Sequence, residues 1–318
     1  MERKRGGFYM KNETIGLQGM ELSEVIRELR IEQKVAQAEL YEGLCGRKVY
    51  FRLEGGEGNL DELLWERLMS RLHIQYKLFE IMLGDEDFWK KECRRRINRL
   101  IRQKKWEEAG LLLEEYREKA PEDALHEQYV RSRQAQLLKN TDRDKAGELF
   151  QEALELTMTI PELEKRRKGS GVVSEEEMWM YLEYRDCKQP LSMDEYPVLL
   201  KEMEWMFLEN QIYAECYFET AFQYARKLLE QEFYVQCSNV CEKTIQILKD
   251  NIKRFHLAEF YFMEAAAKMR LRHTNEEERE LFQQCKMAYY VSLSFMEEET
   301  AKEIERYSRE EYGWHITG

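Results

Sequence analysis

Three stretches of this sequence repeat one shape. "KKWEEAGLLLEEYREKAP" and "TDRDKAGELFQEALELTMTIP" each carry an alanine, a large apolar residue four places later and a closing proline. "EFYVQCSNVCEKTIQIL" repeats it, with Cys237 and Cys241 at the small and apolar positions. Another amphipathic run precedes each: 88–103, 124–140 and 212–230. A helix pair of this kind cannot bury its apolar face alone, so pairs stack on one another into a solenoid with an inner groove. An irregular helical bundle would satisfy the same faces. The rest of the chain agrees with an all-α fold. It has only four prolines (Pro121, Pro161, Pro190 and Pro197) and long tracts of Glu, Lys, Arg, Leu and Ala. About six pairs fit between residues 74 and 312, with "EKRRKGSGVV" (164–173) expected as an exposed loop.

A unit near 34 residues is the tetratricopeptide period. The match here is degenerate. Ala109 to Ala146 spans 37 residues, and the Trp and Gly of the ideal repeat are mostly missing.

The first 73 residues read differently. Residues 1–20 are a polar, glycine-containing tail with no period. From Glu21 four short helical runs follow. Leu22, Val25, Ile26 and Leu29 mark the first, and Ala38, Leu40 and Tyr41 the second. Val49, Tyr50 and Leu53 mark the third; Leu63, Leu64, Leu68 and Leu72 mark the fourth, with Asn59 as the expected N-cap. Between the second and third stands the tight link "GLCG". Leu40 and Leu44 are placed to pack the two helices together, with Gly43 and Gly46 bracketing the turn. Tyr50 and Leu53 point inwards, and Gly55-Gly56 allows a left-handed C-cap. Arg47, Lys48, Phe51 and Arg52 then face outwards. Arg47 and Lys48 open the third helix, where they would reach a guanine edge or a phosphate, and Gln37 opens the second, where an amide can hold a phosphate.

At these residues the chain resembles a known group. "VIRELRIEQKVAQAELYEGLCGRKVYFRLEGGEGNLDELLWERLMSRL" is similar to the Cro/repressor-type (XRE) helix-turn-helix, and more narrowly to the Rgg/PlcR-like (RNPP-type) bacterial regulators. The matching residues are Val25, Leu29, Arg30, Gln37, Leu40, Gly43, Leu44, Cys45, Arg47, Arg52, Glu54, Gly56 and Leu63-Leu64; "EEYGWHIT" resembles the group's C-terminus. The resemblance implies a lambda-repressor-like module over residues 21–73. A TPR-like right-handed α-solenoid, binding ligand and dimerising, would follow over 74–318. It implies a homodimer on palindromic double-stranded DNA, and a short signalling peptide or protein segment in the groove. Glu54 would brace the end of the third helix. The chain departs from the group's pattern at several points: Ala36 and Gly46 replace capping serines, Gly55 an asparagine and Leu60 a proline. Lys48, Tyr50 and Phe51 replace smaller or branched residues. Losing the Ala36 cap alone costs ~1 kcal/mol.

With Cys237 as the small residue of its helix, the groove side of the preceding helix includes Glu219, Phe222, Gln223 and Arg226. The group holds its peptide backbone with asparagines; the comparable points here are Gln223 and Glu264. Gln can donate and accept, whereas ionised Glu only accepts, which favours a ligand with a basic group. Most of the aromatic side chains of the second half are expected in the core.

Charge and motifs narrow the function further. Residues 1–73 hold 12 Lys/Arg against 13 Asp/Glu, in a chain of net charge -12, so any DNA contact is local to a small basic surface. The run "KKECRRRINRLIRQKK" (90–105) has nine Lys/Arg in sixteen residues. It is expected as a solvated helix paired with neighbouring glutamates rather than a phosphate contact. The seven cysteines form no CxxC pair and the five histidines no HExxH or triad context. No metal, no cofactor and no enzymatic activity are therefore expected, with reduced thiols in a cytoplasmic protein. No 18-residue apolar run suggests a membrane span. The reading that follows is a ligand-sensing, DNA-binding transcription regulator. A protein–protein adaptor with a non-reading module is the alternative.

Overall fold

The computed structural model describes residues 22–57, 61–74, 85–168, 171–210, 212–251, 253–271 and 274–317. Every regular element among them is a helix. The chain divides into two units: Met1–Leu191 with Trp205–Tyr213, and Ser192–Glu204 with Ala214–Gly318.

The first unit opens with α1 (Leu22–Glu32), α2 (Gln37–Tyr41), α3 (Arg47–Glu54) and α4 (Glu62–Arg71). Val25, Ile26, Leu29, Leu40, Leu44, Tyr50, Leu53, Leu63, Leu64, Leu68 and Leu72 meet in one buried cluster, as the spacing predicts. Leu22 has a side chain outside the described set. Val49, grouped with the inward residues by pattern, is 44% exposed, because Tyr50 and Leu53 already occupy the inward arc. Asn59 lies outside the described residues, and the cap of α4 is Asp61, whose carboxylate accepts from Leu63 N at 2.8 Å.

The cluster does not end with α4. Leu125 and Val172, from the following part of the chain, are buried in it. That part comprises α5 (Asp85–Arg102), α6 (Trp106–Lys119), α7 (Ala124–Leu138), α8 (Arg143–Glu155), α9 (Ile160–Lys168) and α10 (Glu175–Lys188). Helices α5 to α8 pack in succession, and α10 then packs on α8. Ala109 and Ala146, the small residues of the repeat, are fully buried, which is what lets neighbouring helices approach. Starts are capped by Asp123, Asp142 and a Ser174–Glu177 capping box.

The segment 164–173 is not the exposed loop that its Lys, Arg and Gly suggest. It is helical through Lys168, and Arg166, Val172 and Val173 are buried. Its basic residues sit in the last turn of α9, where they complement the helix dipole.

Helix α11 (Glu195–Asn210) is shared between the units by residue. The second unit continues with α12 (Ala214–Glu230), α13 (Tyr234–Asp250), α14 (Leu257–Met269), α15 (Asn275–Ser294) and α16 (Glu298–Tyr312), each packed on the next. Cys237 and Cys241 are fully buried, matching their assignment to small and apolar positions.

Candidate nucleic-acid interface and repeat groove

One carboxylate organises the helix-turn-helix. Glu54, buried at the end of α3, accepts from Arg30 Nε at 2.7 Å, from the Tyr50 hydroxyl at 3.1 Å and from the Gln37 amide. Arg30 also donates to Val35 O at 3.1 Å. α1, α2 and α3 are thus tied at one point, the bracing role expected of Glu54. Burial and the adjacent carboxylate push the Tyr50 hydroxyl pKa well up, so Tyr50 stays a donor.

Gly43 turns the chain with φ +78°, and α3 starts at Gly46 in extended backbone. Neither Ala36 nor Gly46 supplies a side-chain cap. At the far end Gly55 is right-handed; Gly56, at φ +78°, is the left-handed residue.

Arg47, Lys48, Phe51 and Arg52 are all exposed on α3. The Arg47 guanidinium lies 5.2 Å above the Phe51 ring, a contact that holds the cation outward. Gln37 is half-buried and commits an amide hydrogen to Glu54, so the same bond that fixes α2 also fixes the amide. Four of the five expected contact residues are therefore exposed on α3, and the fifth, Gln37, is bonded to Glu54 at the end of that helix.

The seat of this module went unnoticed in the sequence. α4 buries Glu62, Arg67 and Arg71, and Asp61 caps it. Lys90 meets Asp61 at 2.6 Å, Lys91 meets Glu62 at 2.9 Å, and Arg94 also pairs with Glu62. Arg67 faces Glu176 at 3.8 Å, and Arg133 reaches the same carboxylate at 2.8 Å. Arg71 pairs with Glu177 at 2.5 Å, both side chains 0% exposed. Burial would raise the Glu177 carboxyl, but Arg71 and the Ser174 hydrogen bonds outweigh it and hold the pKa at about 2. Burial likewise opposes ionisation of Asp61, yet bonds from His126 and Lys90 pull its pKa far down. The run 90–105 is accordingly two-faced: Lys90, Lys91 and Arg94 serve α4, while Arg95 pairs outside with Glu92 at 2.8 Å. Charges on α4 spaced between leucines were the only sequence signal.

In the second unit two of the expected groove residues meet a histidine that sequence reasoning missed, and a third bonds to one of them. Phe222 stacks on His256 with ring centroids 4.2 Å apart and planes 6° from parallel. Glu219 meets His256 Nε2 at 2.9 Å, and Gln223 donates to Glu219 at 3.1 Å. Glu259 lies 3.3 Å from Nδ1. Burial would lower the imidazole pKa, but the two glutamates raise it to about 10, so the ring is an imidazolium. Arg226 is exposed, 3.5 Å from Glu230. Glu264 is buried and bonded to Lys268 at 2.5 Å and Gln284 at 2.7 Å, a separate set of contacts.

Among the described residues no cluster of His, Cys, Asp and Glu is arranged to hold a metal. No helix among them is long and apolar enough to cross a membrane.

No family profile matches the chain, and no curated protein is similar to it in sequence. Solved structures are similar in fold. Bacillus thuringiensis PlcR, in complex with the peptide PapR7 and DNA, matches with a TM-score of 0.52 at 15% identity, over 89% of this chain and 98% of PlcR. ComR from S. thermophilus, in complex with DNA and its signalling peptide ComS, matches with a TM-score of 0.44 at 14% identity, over 90% of this chain and 98% of ComR. The chain thus has the fold of PlcR: all-α, a helix-turn-helix module followed by TPR-like helices.

Proposed function

We propose that the protein is a cytoplasmic, DNA-binding transcription regulator of the Rgg/PlcR-like kind. Residues 21–73 are its reader and residues 74–318 sense a ligand, a short signalling peptide. The observation that carries the reading is the outward face of α3. Arg47, Lys48, Phe51 and Arg52 are exposed there, on a helix whose backbone is pinned by Glu54 to both neighbouring helices. Exposed cations at the start of a braced helix are what a major groove receives. Likeness in fold to PlcR, whose structure holds a peptide and DNA, supports the same reading.

In this proposal Arg47 and Lys48 contact bases or phosphates, Arg52 a phosphate, and Gln37 a phosphate oxygen beside its Glu54 bond. A homodimer sets two such helices about 34 Å apart on a palindrome. Glu219, Phe222, Gln223, Arg226 and Glu264 belong to the ligand groove.

Selection of random duplexes by the purified protein tests this. A palindrome should be enriched, and Arg47→Ala/Lys48→Ala should lose it, at roughly 1–3 kcal/mol per lost base contact. Absence of enrichment at every salt concentration tried would remove the regulator reading.

A further inference from the structure

The Arg71 guanidinium has more than one partner. Nε and Nη2 donate to the two oxygens of Glu177 at 3.3 and 2.5 Å. Nη1 donates to the carbonyls of Leu40 and Glu42 at 2.9 and 2.7 Å. Those carbonyls belong to the end of α2 and its cap, where a helix leaves acceptors without backbone partners. A side chain of α4, clamped by α10, therefore closes the end of α2 at the turn.

Two further contacts reach the same few residues. Arg166 of α9 donates to Glu39 O at 3.0 Å and lies 3.4 Å from the Glu42 carboxylate. Gly43 approaches the end of α8 so closely that a Cβ there would stand 1.9 Å from Thr157 O. The chain just past α8 and α9 itself thus touch the turn or the last carbonyls before it, and α10 reaches them through Arg71. The turn sets the angle between α2 and α3, and that angle aims the reading helix. A buried pair such as Arg71–Glu177 is poor evidence of net stabilisation, because desolvating two ions offsets their attraction; what it fixes is geometry.

We propose that Arg71, Arg166 and Glu177 are positioning residues for DNA reading, through which α8–α10 set the aim of α3. A shift of α8–α10 then re-aims the reader without touching the DNA-facing side chains. The inference rests on α3 being the DNA reader.

The test uses the full chain in two variants. Arg71→Met/Glu177→Met removes both charges at once, so neither is stranded; Arg166→Met removes the α9 contact alone. Affinities for the selected duplex and for a scrambled duplex of equal length are measured across salt, with amide hydrogen exchange over α2, the turn and α3. In the double variant the selected-to-scrambled ratio should fall about tenfold or more. Affinity for the scrambled duplex and its salt slope should hold, since Arg47, Lys48 and Arg52 are untouched. Exchange should quicken in α2 and α3 while the α5–α8 helices stay protected. Arg166→Met should lower the ratio roughly threefold, as for one lost hydrogen bond. Unchanged ratios and unchanged exchange in both variants would overturn the proposal. If the double variant loses its helix content, Arg166→Met decides alone by the same criteria. If the wild type selects no duplex, the regulator reading fails, and exchange over α2–α3 still decides whether these residues position the turn.

Discussion

The two units are made of the same kind of helix and bury different chemistry. The first sequesters Glu54, Glu62, Arg67, Arg71, Lys90, Arg94, Arg133, Arg166 and Glu177. The buried polar side chains of the second are Thr220, Ser238, Thr244, Ser292 and Ser308, with Glu264 as its one buried charge among the described residues. Its core is filled by Cys237, Cys241, Cys285, Ala265, Ala266 and Ala288 among aromatic rings. The difference follows from what each must join. Like helices stacking on like helices need only small residues for close approach. A module of a different shape finds many apolar seatings of similar energy, and directional ion pairs select one. The first unit is specified by charge and the second by volume.

The largest test of that contrast is to strand one buried charge in each unit. Glu177→Leu leaves the Arg71 guanidinium sealed from water and should cost ~3–5 kcal/mol. Glu264→Leu strands Lys268, but that side chain is 39% exposed and can turn to water, so the loss should be about 1 kcal/mol. Urea melts of the two variants compare them directly, and equal losses would erase the distinction.

pH should separate the units in opposite directions. His73 is half-buried with its Nδ1 sealed from water, and desolvation lowers its pKa from 6.5 to about 4. It keeps the native state neutral while the unfolded chain takes up a proton, so stability falls as pH drops from 6.5 towards 4. Glu177, depressed from 4.5 to about 2, adds a further loss as pH falls through that lower range. His256 works the other way. Its pKa is raised from 6.5 to about 10, so its contribution is complete below pH 6.5 and lost as pH rises towards 10. Melts from pH 3 to pH 10 should show His73→Phe flattening the acid limb and His256→Gln the alkaline limb. Swapped limbs would mean that the surroundings of the two rings, desolvating for His73 and acidic for His256, are misread.

The smallest effect concerns the bare starts of α2 and α3. Ala36→Ser should stabilise by ~1 kcal/mol and Gly46→Ser by a few tenths, read as a rise in thermal midpoint.

Much of this fold was legible one helix at a time. Periodicity placed Leu40, Leu44, Tyr50 and Leu53 inward and left Arg47, Lys48 and Phe51 outward. Adjacent candidates were harder: Asp61 caps α4 because its carboxylate reaches Leu63 N, and nothing in "GNLDE" ranks it above Asn59. "EKRRKGSGVV" looked like a loop because its charges and glycines outnumber its apolar residues. The buried stem of Arg166, bonded to Glu162 at 2.8 Å and to Glu39 O, makes a helix of its first half. The cluster around His256 was legible in part. Helical spacing brought Glu219, Phe222 and Gln223 together, but His256 sits at φ +50° before α14, a backbone state that no periodicity announces. Least legible was the seat of α4, since Arg71 looks on paper like any arginine closing a helix.

That pairing also constrains how the gene can drift. Arg71 and Glu177 stand 106 residues apart, yet neither tolerates being first to go, for each would leave the other an ion in a dry interior. Descendants of this sequence must keep both or exchange both. The two codons are inherited as one character, and any lineage that has replaced the guanidinium will have replaced the carboxylate as well.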